Sequence, residues 1–441
     1  MATFGDGGGG KGLPLFRVHP LRLATRSTSP LRGRIGKQKV AAKAAVRRYR
    51  GALPFSHGAR RQRTNPIFQL IFSLPCLYVI GRWLWPLSLA IPVKLGVAVL
   101  LLLASQYHSW SRLSSGSVFA PEFPRAIVIA FNWAFGAILL LAILQILVDL
   151  GTLVMLIVQR GTVVPDGVRY AIAALAALLA AIGVANAIRV PPVVDVEVAI
   201  RDLPPQFDGY RLLQLTDLHI SRLFPAAWAR KVVDRANASG VDLIVVTGDF
   251  IDGSVAMRRE DVAPLAELRA PDGVYAIPGN HEYFFDYAAW MRHLTGMGIR
   301  MLPNAHVLLA RGDARLVLAG VTDLSAPAVG QAGPDLGAAL AGAPKSAPIV
   351  LLDHQPKMAR RAAARGVALQ LSGHTHGGMI RGFDRIFALA NGGFVSGRYD
   401  VDGMTLYVSN GTGLWPGFAL RLGRPPEMTR ITLRRAPPHD Q

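Results

Sequence analysis

The sequence is short of cysteine and of charged side chains. Cys76 is the only cysteine among 441 residues, so no disulfide can form within the chain, and cysteine usage does not indicate a redox compartment. Charged residues make up 17% of the chain, whereas soluble domains carry about 25%. Hydrophobic residues make up 51%, and the mean hydropathy is +0.31. This composition excludes an ordinary soluble domain for the whole chain and predicts membrane segments.

Acidic residues are also scarce, and the imbalance lies mostly at the N-terminus. The chain has 48 Lys and Arg against 28 Asp and Glu, a formal net charge of +20, and residues 1–65 hold one acid, Asp6. Because Gly, Pro and Ser surround the basic residues, we expect a disordered basic tail. Such a tail keeps its end of a first membrane span in the cytosol. Nucleic-acid binding is the weaker alternative, since few aromatic side chains would stack bases.

Four apolar runs follow the tail and predict a transmembrane region at residues 66–189. The runs cover residues 67–84, 87–104, 127–158 and 170–188, and a helix needs about 20 apolar residues to cross a bilayer. Arg82 and Lys94 interrupt the first two runs, whose boundaries are therefore the least defined. Asp149 lies in the third run, where a carboxylate is either functional or sits at headgroup level near the end of a shorter span, which we prefer.

The number of spans sets the predicted topology. Four spans that begin with a cytosolic tail return the C-terminal half of the chain to the cytosol, in an integral protein of the inner (plasma) membrane. An odd number of spans would instead place that half outside.

The residue pattern changes after Pro191 and Pro192, which end the last apolar helix. Short β-type runs at 193–198, 212–216 and 243–247 alternate with an amphipathic stretch at 226–238. Alternation of this kind indicates an α/β domain, which we assign to residues 190–441.

Metal-type side chains follow five apolar runs of this domain. The stretches are Thr-Asp-Leu-His (216–219), Gly-Asp-Phe-Ile-Asp-Gly (248–253), Gly-Asn-His-Glu (279–282), Asp-His-Gln (353–355) and Gly-His-Thr-His-Gly-Gly (373–378). Side chains two apart on an extended chain point to the same side. Asp217 with His219, and His374 with His376, should therefore each aim at one point past a strand end, where α/β sheets bind ligands. Each stretch alone is weak, but five in succession predict a metal centre.

The chemistry of the side chains supports two divalent cations. Imidazoles and carboxylates together suit Mn, Fe or Zn, and the two oxygens of Asp249 can bridge two cations. Two cations roughly 3.5–4 Å apart can generate hydroxide from water and clamp a phosphoryl group. Asn280 offers an amide oxygen, while the adjacent His281 points elsewhere and is free to act as an acid.

The order of these motifs resembles that of the calcineurin-like metallophosphoesterase family, over roughly residues 205–415. The apolar segments that precede them make the chain look like the membrane-anchored bacterial branch of that family. The resemblance implies a two-sheet β-sandwich flanked by helices, with the site at the strand ends, preceded here by the transmembrane helices.

The resemblance also implies roles for single residues. One metal would be held by Asp217, His219, Asp249 and His376, and the other by Asp249, Asn280, His354 and His374. His281 would be the nearby acid. Asp252 and Glu282 would support the site without binding metal directly.

The function implied is a membrane-bound two-metal phosphoesterase that hydrolyses phosphomonoester, phosphodiester or pyrophosphate bonds by metal-activated hydroxide. A lipid-linked substrate such as UDP-diacylglucosamine, and hence a role in lipid metabolism, is the version that the membrane segments favour. The alternative is a membrane sensor or scaffold with a non-catalytic metal site, against which the complete ligand set argues. His293 and His306 lie outside the motif pattern, so we expect them not to be catalytic. Arg222, Arg381 and Arg398 could meet phosphate or an acidic headgroup, but each is more often a solvated surface residue. Gly411 and Gly413 form a late loop that would shape substrate access.

Overall fold

A computed structural model describes residues 66–159 and 163–437 of the chain. The predicted disordered basic tail, residues 1–65, lies outside the described residues.

In the part of the chain that the structure describes, five helices precede the first strand, and we call them the helix bundle. They are α1 Pro66–Val79, which continues as a π-helical turn at Ile80–Leu84, α2 Ile91–Ser105, α3 Tyr107–Ser115, α4 Arg125–Gln159 and α5 Asp166–Ile188. By length and composition, α4 and α5 could each cross a membrane. Helices α2 and α3 meet at a bend of 52° and together could form a third span.

The expected four spans exceed the two or three that the described residues offer. Two of the predicted runs, 127–158 and 170–188, correspond to α4 and α5. The first run forms α1 and its π-helical turn, of 14 and 5 residues. The second forms α2, whose 15 residues fall short of the roughly 20 that a span needs.

Helices α1 and α2 nevertheless form an antiparallel pair alongside the longer helices. At one end, the Gln106 side chain donates to Ser73 Oγ at 2.8 Å. At the other end, the Ser88 amide in the α1–α2 turn donates to the Asp166 carboxylate at the start of α5, at 2.9 Å. The start of α1, the end of α2 and the end of α5 therefore lie at the same end of the helix bundle.

Among the described residues that follow, two six-stranded mixed sheets form the centre of the second domain. Their strands are β1 Val193–Ile200, β2 Arg211–Leu215, β3 Leu243–Thr247, β4 Val274–Ile277, β5 Arg300–Met301, β6 Ala305–Arg311, β7 Ala314–Gly320, β8 Ile349–Leu352, β9 Leu369–Ser372, β10 Gly397–Val401, β11 Met404–Val408 and β12 Met428–Arg435. The strand orders are β1-β12-β2-β3-β4-β5 and β10-β11-β9-β8-β7-β6. The predicted two-sheet α/β fold is therefore confirmed.

The sheets pack face to face and are covered by helices on their outer sides. The helices of this domain are α6 Ala226–Asn237, α7 Val255–Val262, α8 Asn280–Phe284, α9 Tyr287–Gly296, α10 Leu336–Ala339, α11 Ala359–Ala363 and α12 Asp384–Ala390. Leu212 and Val245 of one sheet share a buried cluster with Val350 and Leu369 of the other. Strands β2, β3 and β4 run parallel, as do β8 and β9, so their carboxyl ends share one edge of the molecule.

A short segment that follows β11, residues 415–422, joins this domain to the helix bundle, and we call it the docking segment. Leu420 is fully buried in a cluster with Ala176, Ala180 and Val184 of α5. A Cβ atom added to Gly183 would lie 2.5 Å from Leu420 Cδ1, so only glycine leaves room for this side chain.

Polar contacts fix the same junction. The Asn132 side chain of α4 donates to the carbonyl of Pro416 at 2.9 Å and accepts from the Ala419 amide at 2.6 Å. The Arg421 amide donates to the carbonyl of Gly183 at 3.0 Å. Because these bonds join buried backbone groups, the helix bundle and the sheets are packed as one structure and not merely tethered.

Candidate metal centre

The Asp-x-His pair after β2 and the His-x-His pair after β9 have a backbone conformation that the sequence did not predict. Asp217 and His219 have φ of 52° and 45°, and His374 and His376 have φ of 68° and 50°. Their backbones are in the left-handed region. The chain is therefore not extended there, contrary to our expectation. The side chains of Asp217 and His219 still converge, with Asp217 Oδ1 4.0 Å from His219 Nε2, whereas His374 and His376 join two different groups of side chains. Left-handed non-glycine residues cost free energy, and such positions cluster at functional sites.

The first group of side chains comprises Asp217, His219 and His376, which are all buried. His376 Nε2 lies 3.7 Å and His219 Nε2 4.0 Å from Asp217 Oδ1. The two imidazole Nε2 atoms face each other at 3.3 Å. Three potential ligand atoms therefore surround one small region, as a cation would require.

The second group comprises Asp249, His354 and His374, with Asn280 beside them. The amide oxygen of Asn280 lies 3.0 Å from His354 Nε2 and 2.8 Å from His374 Nδ1. Asp249 Oδ2 lies 3.2 Å from His354 Nε2 and 3.7 Å from His219 Nε2 of the first group. Asp249 thus faces both groups, which is the position that a bridging carboxylate needs.

All seven predicted ligands are brought together, and we call this set the metal rim: Asp217, His219, Asp249, Asn280, His354, His374 and His376. They come from the loops after β2, β3, β4, β8 and β9.

The distal nitrogens of two ligand imidazoles are held by neighbouring acceptors. His354 Nδ1 lies 2.7 Å from the carbonyl of Thr247, and His219 Nδ1 lies 3.1 Å from Asp252 Oδ2. A proton on each Nδ1 leaves the lone pair of Nε2 directed at the centre of the rim, as metal-binding histidines require. Asp252 therefore orients a ligand, in agreement with its expected supporting role.

His281 lies at the edge of the rim and shares Asp252 with His219. Its Nδ1 is 2.5 Å from Asp252 Oδ1, and its Nε2 is 3.9 Å from Asp249 Oδ2. Burial lowers the pKa of the His281 imidazole, but the negative charges of Asp249 and Asp252 outweigh this effect and raise the pKa to about 9. His281 is therefore protonated at neutral pH and can donate a proton.

Glu282 supports the site through the backbone. Its carboxylate accepts from the amides of Asp249 (3.1 Å), Phe250 (2.9 Å) and Gly279 (2.7 Å). Gly279 lies so close that a Cβ atom there would be 2.2 Å from Asp249 Oδ1. The glutamate thereby fixes the loop that carries Asp249, and its role in supporting a metal site stays a prediction.

The pKa values of the rim shift in both directions. Burial raises the pKa of the Asp217 carboxyl, and for His354 the negative charges of Asp249 and Asp217 outweigh burial and raise the pKa well above its usual range. Burial raises the pKa of the Asp249 carboxyl, but the positive charge of His354 and its neighbours outweighs this and holds the pKa well below its usual range. Burial and the positive charge of His354 lower the pKa of His374 to about 3. Burial and the charge of His219 likewise hold the pKa of His376 well below its usual range. Neutral imidazoles have free lone pairs for metal binding.

These residues fit a pair of divalent cations. Oxygen and imidazole donors meet at two adjacent points, and the Nε2 atoms of His219 and His376 lie only 3.3 Å apart. Buried polar atoms that face each other without hydrogen bonds cost free energy, and a bound cation would remove that cost.

Sequence reasoning missed Arg421, whose guanidinium is fully buried behind the rim. It donates to the carbonyls of His376 (3.2 Å), Asn410 (2.6 Å) and Gly413 (2.8 Å). The Gly413 amide in turn donates to the carbonyl of Asp217 at 2.9 Å. The late glycine loop therefore supports the ligand backbone from behind, whereas we had expected it to shape substrate access. An isolated arginine in the docking segment gave no signal of this contact.

Sequence reasoning also missed Phe119, which lies in the loop between α3 and α4. Its ring centroid is 5.4 Å from that of His281, 5.2 Å from Phe284 and 5.5 Å from Trp415. Glu122 of the same loop pairs with the buried Arg258. A loop of the helix bundle therefore forms one wall beside the candidate acid.

The residues that we expected outside the site have other surroundings. His306 Nδ1 contacts the carbonyl of Ala339 at 2.7 Å, and the His293 ring packs edge-on against Trp290. Arg222 pairs with Glu122 at 2.7 Å. Arg381 and Arg398 are both exposed at the surface.

Comparison with known proteins agrees with this geometry. Residues 210–378 match the family described as calcineurin-like phosphoesterase. A Danio rerio protein named transmembrane protein with metallophosphoesterase domain is 35% identical over 271 residues, which cover 59% of this chain and 62% of that protein. An uncharacterized metallophosphoesterase of Bacillus subtilis (strain 168), YkuE, is 32% identical over 239 residues, which cover 53% of this chain and 82% of that protein.

A solved structure, that of a 5'-nucleotidase precursor from Thermus thermophilus, is 16% identical in sequence, with a TM-score of 0.33. The match covers 51% of this chain and 54% of the nucleotidase chain. At this level of similarity, the activity of the nucleotidase says nothing about this chain. The chain spans 62%, 61% and 59% of the length of the relatives from Danio rerio, Bos taurus and Helicobacter pylori (strain J99 / ATCC 700824).

Proposed function

Because the chain belongs to the calcineurin-like metallophosphoesterase family, we propose that it is a membrane-anchored, metal-dependent hydrolase of phosphate esters. The observation that carries the proposal is the convergence of the seven side chains of the metal rim from five separate loops. A sensor with a vestigial site would not need a full set of ligands, and the described residues retain every predicted one.

The division of labour within the site follows from its contacts. Two bound divalent cations would supply Lewis acidity and lower the pKa of water, so that a nucleophile forms at neutral pH. Asp249 and Asp217 supply negative charge to the rim, and Asp252 holds His219 in the tautomer that binds. His281 carries a proton at the edge of the rim, where it would protonate the leaving oxygen or stabilise charge on the phosphoryl group.

The donor set supports Mn, Fe or Zn as the native metals. Four of the seven side chains are imidazoles, two are carboxylates and one is an amide. Imidazole disfavours Mg and Ca, which prefer all-oxygen surroundings, whereas the carboxylates keep harder ions such as Mn within range.

We propose that α4 and α5 cross the plasma membrane and that the catalytic domain is cytosolic. The name of the Danio rerio relative supports a membrane protein. The contacts at the two ends of the α1–α2 pair support an orientation in which the start of α1 and the end of α5 lie on the same side. The basic residues 1–65 favour the cytosol for that side.

We further propose that the substrate is a lipid-linked phosphate or pyrophosphate, of the UDP-diacylglucosamine type. Phe119, Phe284 and Trp415 form a half-buried aromatic wall between His281 and the helix bundle. A wall of this kind would contact an apolar chain while the phosphate lies on the rim.

A substrate panel tests the activity on the full chain in detergent or nanodiscs, reconstituted separately with Mn, Fe and Zn. We expect hydrolysis of a simple aryl phosphodiester, faster turnover of a lipid-linked pyrophosphate, and no activity in Asp249→Asn. If metal analysis finds about two equivalents bound per chain but no phosphate ester is cleaved, the scaffold alternative replaces the enzyme. Activity on soluble esters alone would overturn the lipid-linked substrate.

A further inference from the structure

Helix α12, Asp384–Ala390, exposes large apolar side chains beside the metal rim. All seven of its residues are at least partly exposed. Ile386 is 64% and Leu389 is 87% exposed, and because they are three apart on a helix they lie on one face. Single exposed apolar residues are normal on a soluble surface. Whether this pair forms a binding surface therefore depends on where it lies in the fold.

The chain just before α12 contacts the helix bundle. Ile380 packs against the buried cluster that α4 and α5 form with Leu420. The Arg381 amide donates to the carbonyl of Leu422, in the docking segment, at 2.9 Å. Helix α12 begins four residues after Ile380. Helix α12 therefore starts directly beside the junction where the docking segment meets α4 and α5.

The charges around α12 match an anionic lipid surface. Arg381 and Arg385 are both exposed, whereas Asp384, the acid of this helix, is paired with Arg424. Two basic side chains thus flank an apolar pair, with the nearby acid neutralised. Helices that lie in a bilayer interface combine an apolar face with Lys or Arg at its edge.

From this placement we propose that α12 contacts the bilayer, with Ile386 and Leu389 inserted among the lipid headgroups and Arg381 and Arg385 directed at lipid phosphates. The inference rests on the proposed membrane insertion of α4 and α5. Since α12 begins eight residues after His376, the contact would hold one side of the metal rim at the membrane surface. The substrate would then reach the rim from the lipid phase.

The single cysteine of the chain makes a direct test practical. In a Cys76→Ala background, Leu389→Cys is labelled with an environment-sensitive fluorophore, and the full chain is placed in nanodiscs that contain anionic lipid. Quenching by spin-labelled lipid is compared with quenching by a water-soluble agent. Two control sites are Leu178→Cys, 58% exposed on α5, and Leu308→Cys, 46% exposed on β6.

We expect Leu389→Cys to follow Leu178→Cys, with lipid-borne quenching severalfold above that of Leu308→Cys. If Leu178→Cys is quenched by the lipid but Leu389→Cys behaves like Leu308→Cys, the inference about α12 is wrong while the membrane proposal survives. If Leu178→Cys itself is quenched only from water, the membrane insertion on which the inference rests is wrong. Protection of Leu389→Cys from both quenchers would indicate a protein partner and would also overturn the inference about α12.

A second variant measures the consequence for turnover. Ile386→Ser with Leu389→Ser should lower hydrolysis of a vesicle-borne phosphate ester severalfold and leave hydrolysis of a soluble aryl phosphodiester unchanged. Arg381→Gln with Arg385→Gln should reproduce the loss on anionic vesicles and not on neutral ones. Equal rates on all substrates in both double variants would contradict a bilayer contact at α12.

Discussion

The metal rim and the helix bundle are specified in opposite ways. Each side chain of the rim sits in a short, recognisable group of residues, and its backbone is fixed by bonds such as those that Glu282 and Arg421 make. The helix bundle is recognisable only by composition, and its polar contacts, such as that of the Asp149 carboxylate with Tyr78 and Arg82, join single side chains that no motif marks. The comparison teaches that the rim should tolerate almost no change, whereas the helix bundle should tolerate most changes away from the docking segment.

Removing the bridging charge tests the rim most severely. Asp249→Asn keeps the shape of the side chain but removes the negative charge shared by both groups of ligands. We expect kcat/KM to fall by at least about 10³-fold, equivalent to ~4 kcal/mol of transition-state stabilisation. Metal analysis should show both cations depleted. Full metal content with normal turnover would mean that Asp249 does not bridge.

Removing the proton donor separates chemistry from metal binding. His281→Gln should lower kcat by about 10²–10⁴-fold, the range for general acids, while the metal content stays unchanged. His293→Gln, in α9 and outside the rim, is the matched control and should retain wild-type kcat. Loss of the metals in His281→Gln would instead make His281 a ligand.

Closing the gap beside Asp249 tests how tightly the rim is built. Gly279→Ala places a Cβ atom 2.2 Å from Asp249 Oδ1, so the carboxylate must move. We expect metal affinity to fall by about 10–100-fold, as when a supporting contact of a ligand is lost. Gly296→Ala, which meets no atom within 4 Å, is the control in a chelator competition. Equal affinity in the two variants would show that the rim can relax.

A packing change tests the helix bundle where it should be least tolerant. Gly183→Val drives a side chain into Leu420 and should lower the free energy of unfolding by about 1–3 kcal/mol, the usual cost of overpacking. Gly151→Val in α4, where no atom lies within 4 Å of a new Cβ, should change it much less. The two variants are compared in matched detergent unfolding curves. Similar losses would mean that the docking segment is not a special contact.

The smallest effect is expected from the ion pair inside the helix bundle. Arg82 Nε donates to Asp149 Oδ2 at 3.0 Å, and the Arg82 side chain is 58% exposed at the surface of the bundle. Changing one partner leaves an uncompensated charge among apolar side chains. Asp149→Asn or Arg82→Gln alone should therefore destabilise more than both together, in a double-mutant cycle on unfolding. Additive losses would show that the pair is not coupled.

The sequence predicted the parts of the fold that depend on residues close together along the chain. The runs before Asp217 and Asp249 become β2 and β3, and the rim forms where parallel strands end. The roles within the rim, including that of His281, stay predictions. The left-handed backbone at Asp217 could not be predicted, because aspartate rarely adopts it without surrounding contacts. Arg421 and Phe119 were missed because their partners are distant along the chain.

The expected four spans stay a prediction, while the described residues offer two or three helices long and apolar enough to cross a membrane. Hydropathy measures how apolar a run is, but the length of a helix also depends on where it ends. The run 87–104 becomes α2, whose 15 residues end at the bend before Tyr107. Lys94 and Gln106, which bond to Trp85 and Ser73, contribute to that local geometry.

The burial of Leu420 against α4 and α5 affects how this protein can be prepared. The domain boundary suggests a recombinant fragment that starts near residue 190 as a convenient soluble enzyme. That fragment would, however, leave Leu420 facing water and deprive the Arg421 amide of its carbonyl acceptor. The same arginine holds the backbone of His376. Purification, crystallisation and inhibitor screening should therefore start from the intact polypeptide in a lipid or detergent environment.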